Sequence, residues 1–178
     1  MIAYHVFVTT ADDYPSRREP YRKAHLERLM ELRSRTLCVG GGPAPDGRSA
    51  DVFYRVEQPG DITRLIEDDP YYTGGAWIAY RARSFSQFLE PWEFPPLVLD
   101  GSRRATIVEG EVTDPEMAAF ALIEARGAGR MAFGGVFPDG QSLSLMRSAD
   151  QAEAVAALEE TGFWKPGTLR GRPLLHVL

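Results

Sequence analysis

The sequence contains a single cysteine, Cys38, among 178 residues. One thiol excludes an intrachain disulfide and any cysteine-rich metal site. Cys38 lies in the apolar run Leu37-Cys38-Val39 and reads as a small buried hydrophobe; a nucleophile needs an activating neighbour, and the sequence identifies none. Long apolar runs are lacking too. None approaches membrane-spanning length, and no basic-plus-apolar leader precedes the strand-like run that starts at Ile2. No membrane partner is expected, and a cytoplasmic location is. Positive charge is scarce: the formal net charge is −5, and Arg17-Arg18 and Arg103-Arg104 are isolated pairs. Nucleic acid is therefore not an expected partner. The three histidines show no His-x-His or His-Glu-x-x-His spacing, so no metal is expected. Nucleotide fingerprints, serine nucleophile elbows and cofactor-lysine motifs are missing, and no cofactor is expected. Gly40-Gly41-Gly42 lacks the helix and lysine of a P-loop and reads as a tight backbone approach.

What is present is ordinary globular material, 44% apolar and 25% charged. The length suits one large domain or two small ones, and units of under about 100 residues are marginal alone. Residues 2–10 are β-branched and aromatic, as a buried strand should be. Residues 21–35 predict a helix: Leu26 and Met30 share one stripe, and His25, Leu29 and Leu32 the next. Residues 37–42 and 51–56 predict strands about the Asp46-Gly47 turn. A short helix follows, with Ile62, Leu65 and Ile66 inward and Asp61 as N-cap. It ends before Pro70. Residues 76–83 close the unit as a strand. Residues 85–100, rich in Pro and aromatics, read as an ordered surface linker, because Trp92 and Phe94 are costly to leave in water.

The same order then restarts. A strand covers 105–112. Thr113 and Glu116 have capping-box spacing before a helix over 117–126. Strands at 129–137 and 141–146 flank the turn Asp139-Gly140. A helix from Ser148-Ala149-Asp150 runs to Glu160, and residues 174–178 form the closing strand, on which His176 is the counterpart of His5. The repeated order β-α-β-β-α-β is the split βαβ pattern of ferredoxin-like folds. A shift of 93 residues aligns 37–75 with 130–168 without a gap, with identities clustered at Gly41/Gly134, Gly42/Gly135, Pro45/Pro138, Asp46/Asp139 and Gly47/Gly140. Ser49/Ser142, Gln58/Gln151, Leu65/Leu158 and Gly74/Gly167 also match. Turn geometry accounts for the first group; the whole set with the repeated order points to duplication.

Arg22-x-x-His25-Leu26, Gly41-Gly42-Pro43 with Asp46-Gly47, and Asp69-Pro70-Tyr71 recur in the order seen in the YCII family, which residues 1–90 resemble. The resemblance implies an α+β chain of ferredoxin-like βαββαβ units that pair sheet to sheet as a dimeric α/β barrel. Here two repeats within one chain would make a pseudo-dimer: residues 1–90, a linker at 91–104, and a degenerate copy at 105–178. It also implies a His/Asp pair at a pocket mouth, carried over to His25 and Asp69. Family relatives include muconolactone-isomerase-like proteins and a dehydrochlorinase of chlorinated hydroxyquinones. Under the 93-residue shift His25 meets Ala118 and Asp69 meets Gly162, so no second site of this kind is expected.

His25 is the residue type best suited to proton transfer near neutral pH, and a carboxylate on one ring nitrogen fixes the tautomer of the other. Its bland reading is a satisfied structural histidine. Asp69 is otherwise a turn-former before Pro70. Arg22, one helical turn from His25, is either an anion contact or a surface ion pair with Glu19 or Glu27. Tyr71, with Tyr72 and Trp77, lines a pocket for a planar ligand or simply packs. Gly42 completes the expected substrate contacts with Arg22 and Tyr71. Two functions stay open: a cofactor-independent lyase or isomerase acting on a small aromatic or lactone-like molecule, or a module that binds a small ligand or protein without catalysis. A purely structural assembly role is a third. A small-molecule ligand, and a second copy of the chain in a homodimer, are the expected partners.

Overall fold

A computed structural model describes residues 1–93, 100 and 104–175. The chain divides into two compact units, Met1–Ser84 and Phe85–Val177. Each is built on one antiparallel sheet.

In the first unit, β1 (Ile2–Thr10) is flanked by β3 (Ser49–Val56) and β4 (Trp77–Ser84), and β2 (Cys38–Pro43) adds to β3, giving the order β2-β3-β1-β4. The helices are α1 (Tyr14–Arg17), α2 (Arg22–Ser34), α3 (Asp61–Glu67) and α4 (Pro70–Thr73). Helix α2 buries His25, Leu29 and Leu32, the stripe set by their spacing. Strand register fixes which sheet face the helices cover. Tyr80 lies opposite Val8, and its hydroxyl donates to Glu67 at the end of α3. Val8 lies opposite Ala50, and Val6 opposite Val52, so these residues share the helix-covered face. His5, Phe7, Asp51 and Phe53 have the opposite parity and point to the other face.

The second unit carries β6 (Ala105–Glu111), β7 (Met131–Val136), β8 (Gln141–Met146) and β9 (Arg170–Leu174), with α5 (Pro115–Gly127) and α6 (Gln151–Glu159). Its order is β5-β7-β8-β6-β9, where β5 (Gln87–Leu89) pairs with the outer edge of β7. Ala118, Leu122, Met131, Met146, Ala154 and Leu158 lie in one buried cluster.

Several local expectations need correction. Residues 87–89, read as part of the first unit and its linker, extend the second sheet instead. The closing strand is β9, earlier than 174–178; its polar Arg-Gly-Arg-Pro start disguised it, and Pro173 is tolerated because β9 is an edge strand. Phe94, Arg103 and His176 lie outside the described residues. Asp114, not Thr113, caps α5 by accepting from the Glu116 and Met117 amides, and Gly60 rather than Asp61 occupies the cap of α3.

The gapless 93-residue register also fails. Cys38 pairs with Tyr54 and Met131 with Met146. The first members of those pairs differ by 93 in number and the second by 92. The loop is shorter by one residue in the second hairpin: the Ala44 amide donates to Ser49 O across residues 45–48, whereas the Phe137 amide donates to Gln141 O across 138–140. The shared Pro-Asp-Gly hides the difference. His25 still matches Ala118, each the fourth residue of its 13-residue helix. Asp69 matches Thr161 rather than Gly162, because their amides donate to Ile66 O and Leu158 O, which belong to equivalent buried positions.

Gly41 has φ +139°, and a Cβ there would meet Asp51 O and lie 2.8 Å from Val52 Cα. Gly41→Ala is expected to lose about 2 kcal/mol or more in urea unfolding, against about 0.5 kcal/mol or less for Gly60→Ala, where a Cβ meets nothing within 4 Å. Cys38 is buried, and desolvation pushes its thiol pKa up to about 12. In the folded protein at pH 8 it should not react with a thiol-specific chromogenic disulfide; one equivalent should react in denaturant.

Candidate functional site

Asp69 sits between α3 and α4 with no exposed surface. Pro70 follows it and keeps its own backbone extended, with ψ 135°. That conformation makes Asp69 the N-cap of α4: its Oδ1 accepts from the Tyr71 amide at 2.8 Å. The same oxygen accepts from Nδ1 of His25, also at 2.8 Å. Arg28, one turn after His25, places its Nε 4.0 Å from Asp69 Oδ2 and donates from its other end to Leu65 O.

The imidazole is held on its faces as well as its edge. Tyr71 stacks on it with ring centroids 3.7 Å apart and planes 14° from parallel. Trp77 meets it edge-on at 5.3 Å and 80°. Tyr71 and Trp77 in turn meet at 76°, and Tyr14 packs edge-on against Tyr71. The ring therefore has one orientation, fixed by a carboxylate and two aromatic side chains. An oxygen that already accepts from a backbone amide takes the imidazole as a second donor, so Nδ1 carries the proton and Nε2 the lone pair. Nε2 has no protein partner among the described residues, and it is not among the side-chain atoms sealed from solvent. Residue 25 as a whole is 7% exposed. This is the arrangement of an oriented base: one nitrogen anchored, the other available.

The expected contacts divide. His25, Asp69 and Tyr71 come together. Arg22 begins α2 and is exposed, with no contact to His25, Asp69 or Tyr71 among the described residues; burial raises the Tyr71 hydroxyl pKa, and the nearby charges of Arg18 and Arg22 only partly oppose this. Neither ion pair envisaged for Arg22 forms: Glu27 pairs with Lys23 and Glu19 with Arg18. Gly42 is elsewhere, paired with Asp51 in the β2–β3 ladder. In the second unit the Thr161 hydroxyl donates to Leu158 O, and Trp164 Nε1 donates to Ser142 Oγ at 2.7 Å, so the equivalent region is a closed core.

Sequence reasoning missed a second His–Asp contact. His5 Nε2 lies 2.6 Å from Asp51 Oδ1, with the residues 1% and 2% exposed. The signal was weak: both residues sit in strands on the sheet face turned away from the helices, but pairing them needs the β1–β3 register, which the sequence does not state. Among the described residues no group of three or more His, Cys, Asp or Glu is placed to hold a metal ion, and no helix is long and apolar enough to cross a membrane.

Comparison with known proteins bears on the fold alone. No protein-family model and no curated protein matches the sequence. Among solved structures, a candidate monooxygenase from Lactobacillus acidophilus superposes with TM-score 0.62 at 12% identity, over 97% of this chain and 92% of that one. A 5-chloro-2-hydroxyhydroquinone dehydrochlorinase from Burkholderia phenoliruptrix matches 45% of this chain and 89% of its own at 18% identity, with TM-score 0.40. A chlorite dismutase from Candidatus Nitrospira defluvii matches 97% and 90% at 14% identity, with TM-score 0.45. The first likeness shows the fold: an α+β chain with two antiparallel sheets, like that of a dimeric α+β-barrel protein.

Proposed function

We propose that the chain is a small-molecule enzyme of lyase or isomerase type, in which His25 moves a proton and Asp69 orients it. The observation that carries the reading is the Nδ1 contact of His25 with a fully buried carboxylate, which leaves Nε2 as the basic nitrogen. In this reading Nε2 takes a proton from carbon beside a carbonyl and returns it to a neighbouring position. Tyr71 and Trp77 keep the ring from turning away from the substrate. The aromatic surroundings favour a flat substrate, an aromatic or lactone-like molecule. Arg22, exposed at the start of α2 one turn before His25, would meet the substrate's negative charge.

The reading includes a fold history. The two units would be copies of one ferredoxin-like unit of the YCII type, the second having lost its pair, because both have the element order β-α-β-β-α-β and the same arrangement of their four principal strands. A small molecule, and a second copy of the chain, are the partners it calls for. The alternative is a module of the same fold that binds a small ligand without turning it over; the replacement of the pair by Ala118 and Thr161 in the second unit favours it for that unit.

Deuterium exchange tests the enzyme reading. The protein is incubated in heavy water with a panel of hydroxyquinones and unsaturated lactones, and label uptake is followed by mass spectrometry. At least one member should gain deuterium. His25→Gln should slow that exchange by about 10²–10⁴-fold, and Asp69→Asn, which keeps an acceptor for the Tyr71 amide, by about 10²-fold or more. Binding without exchange would move the protein to the alternative. Exchange that survives His25→Gln would remove His25 from the chemistry.

A further inference from the structure

Helix α6 and the ends of β7 and β8 border a cleft of about 490 Å³ that lies wholly within the second unit. That is room for a small molecule. Arg130 and Arg147 line it from the strand ends, and Glu153 and Glu160 from α6. Arg130 immediately precedes β7 and Arg147 immediately follows β8. Met131 pairs with Met146, and the Arg147 amide donates to Arg130 O at 2.8 Å, so the two arginines stand opposite each other one step beyond the ladder. Like charges in that position repel. Neither guanidinium has a partner among the described residues. An anion between them replaces a repulsion with two attractions.

The helix side of the cleft has the opposite need. Glu153, Ala157 and Glu160 follow at spacings of four and three, which puts them on one face. The Glu153 carboxylate is engaged, since the Ser148 hydroxyl donates to its Oε2 at 2.6 Å. The Glu160 carboxylate has no partner among the described residues. Glu160 is also the C-cap of α6, whose last turn holds no basic residue. A helix end of that kind already carries partial negative charge, so an added carboxylate there favours a cation beside it. Between the charges the lining is apolar: Met146 and Ala154 are buried, and Ala157 keeps the helix wall low.

We infer that this cleft binds an aliphatic α-amino acid as its zwitterion, with the carboxylate between Arg130 and Arg147, the ammonium on Glu160 and the side chain over Met146 and Ala157. Forked guanidinium donors match the two oxygens of a carboxylate. A ligand carrying both charges relieves both unfavourable electrostatic settings at once, which an anion or a cation alone does not. No histidine, cysteine or lysine lines the cleft among the described residues, so its role is binding rather than turnover. The inference gives the second unit a ligand class and does not depend on the proton-transfer reading of His25.

L-leucine is the probe, with isocaproate as the version lacking the ammonium and isoamylamine as the version lacking the carboxylate. The full chain is titrated with each by calorimetry, and the Met146 methyl signal, assigned with Met146→Leu, is followed by NMR. Leucine should bind at least tenfold more tightly than either analogue and shift the Met146 methyl. Arg147→Ala, at an exposed position, should weaken leucine at least tenfold, and Arg64→Ala, an exposed arginine on α3, should leave it unchanged. Glu160→Gln should remove the advantage of leucine over isocaproate while isocaproate itself still binds. No leucine binding, an analogue that binds as tightly as leucine, or equal losses from the two arginine variants would overturn the assignment. Retained circular dichroism of Arg147→Ala separates loss of binding from loss of fold.

Discussion

Asp69 Oδ1 accepts two hydrogen bonds from two different elements, and both are buried. From the Tyr71 amide it starts α4. From the imidazole it ties α4 to α2 across 44 residues of sequence. The aromatic packing then follows, because a capped α4 holds Tyr71 where its ring lies flat on His25, and the edge of Trp77 completes the enclosure. A carboxylate wholly removed from water is costly to keep unless its partners are fixed. Here the cost is offset by an amide donor, an imidazole donor and a guanidinium 4.0 Å from its other oxygen. The orientation of the imidazole and the integrity of the helix junction therefore rest on the same atom.

The extent to which this was legible in the sequence differs by type of interaction. His25 and Asp69 could be paired in advance because the resemblance to the YCII family supplies the pair and a split βαβ order lays their helices side by side; from the residues alone Asp69 reads only as a turn-former before Pro70. The stacking of Tyr71 was not legible, since it depends on the cap that Asp69 supplies. The His5–Asp51 contact depends on strand register, which is set by hairpin geometry rather than by periodicity. The repeat register shows the same limit from the other side. Pro-Asp-Gly occurs in both turns for conformational reasons, with Gly47 and Gly140 both at positive φ, and so masks the missing residue that moves the match for Asp69 from Gly162 to Thr161. Strand β9 escaped notice because edge strands tolerate the charges and proline that interior strands exclude.

The two units show how one architecture is used differently. In the first, a buried polar pair interrupts the apolar interior between helix and sheet. In the second, Ala118 takes the place of the imidazole and is fully buried, Leu122 and Leu158 close around it, and the remaining polar need is met by Trp164 on Ser142. At the end of α6, where the second unit has no imidazole to orient, the Thr161 hydroxyl donates to Leu158 O of its own helix. Buried polar groups persist in each unit where they have partners.

The tautomer of His25 bears most directly on this account. Nitrogen-15 NMR of the imidazole, recorded at a pH where the ring is neutral, distinguishes a protonated Nδ1 with a bare Nε2 from the opposite form. The structure predicts a single Nδ1–H tautomer in the unaltered protein and its loss or averaging in Asp69→Asn. A proton on Nε2, or the same tautomer mixture in both proteins, would contradict the role given to Asp69.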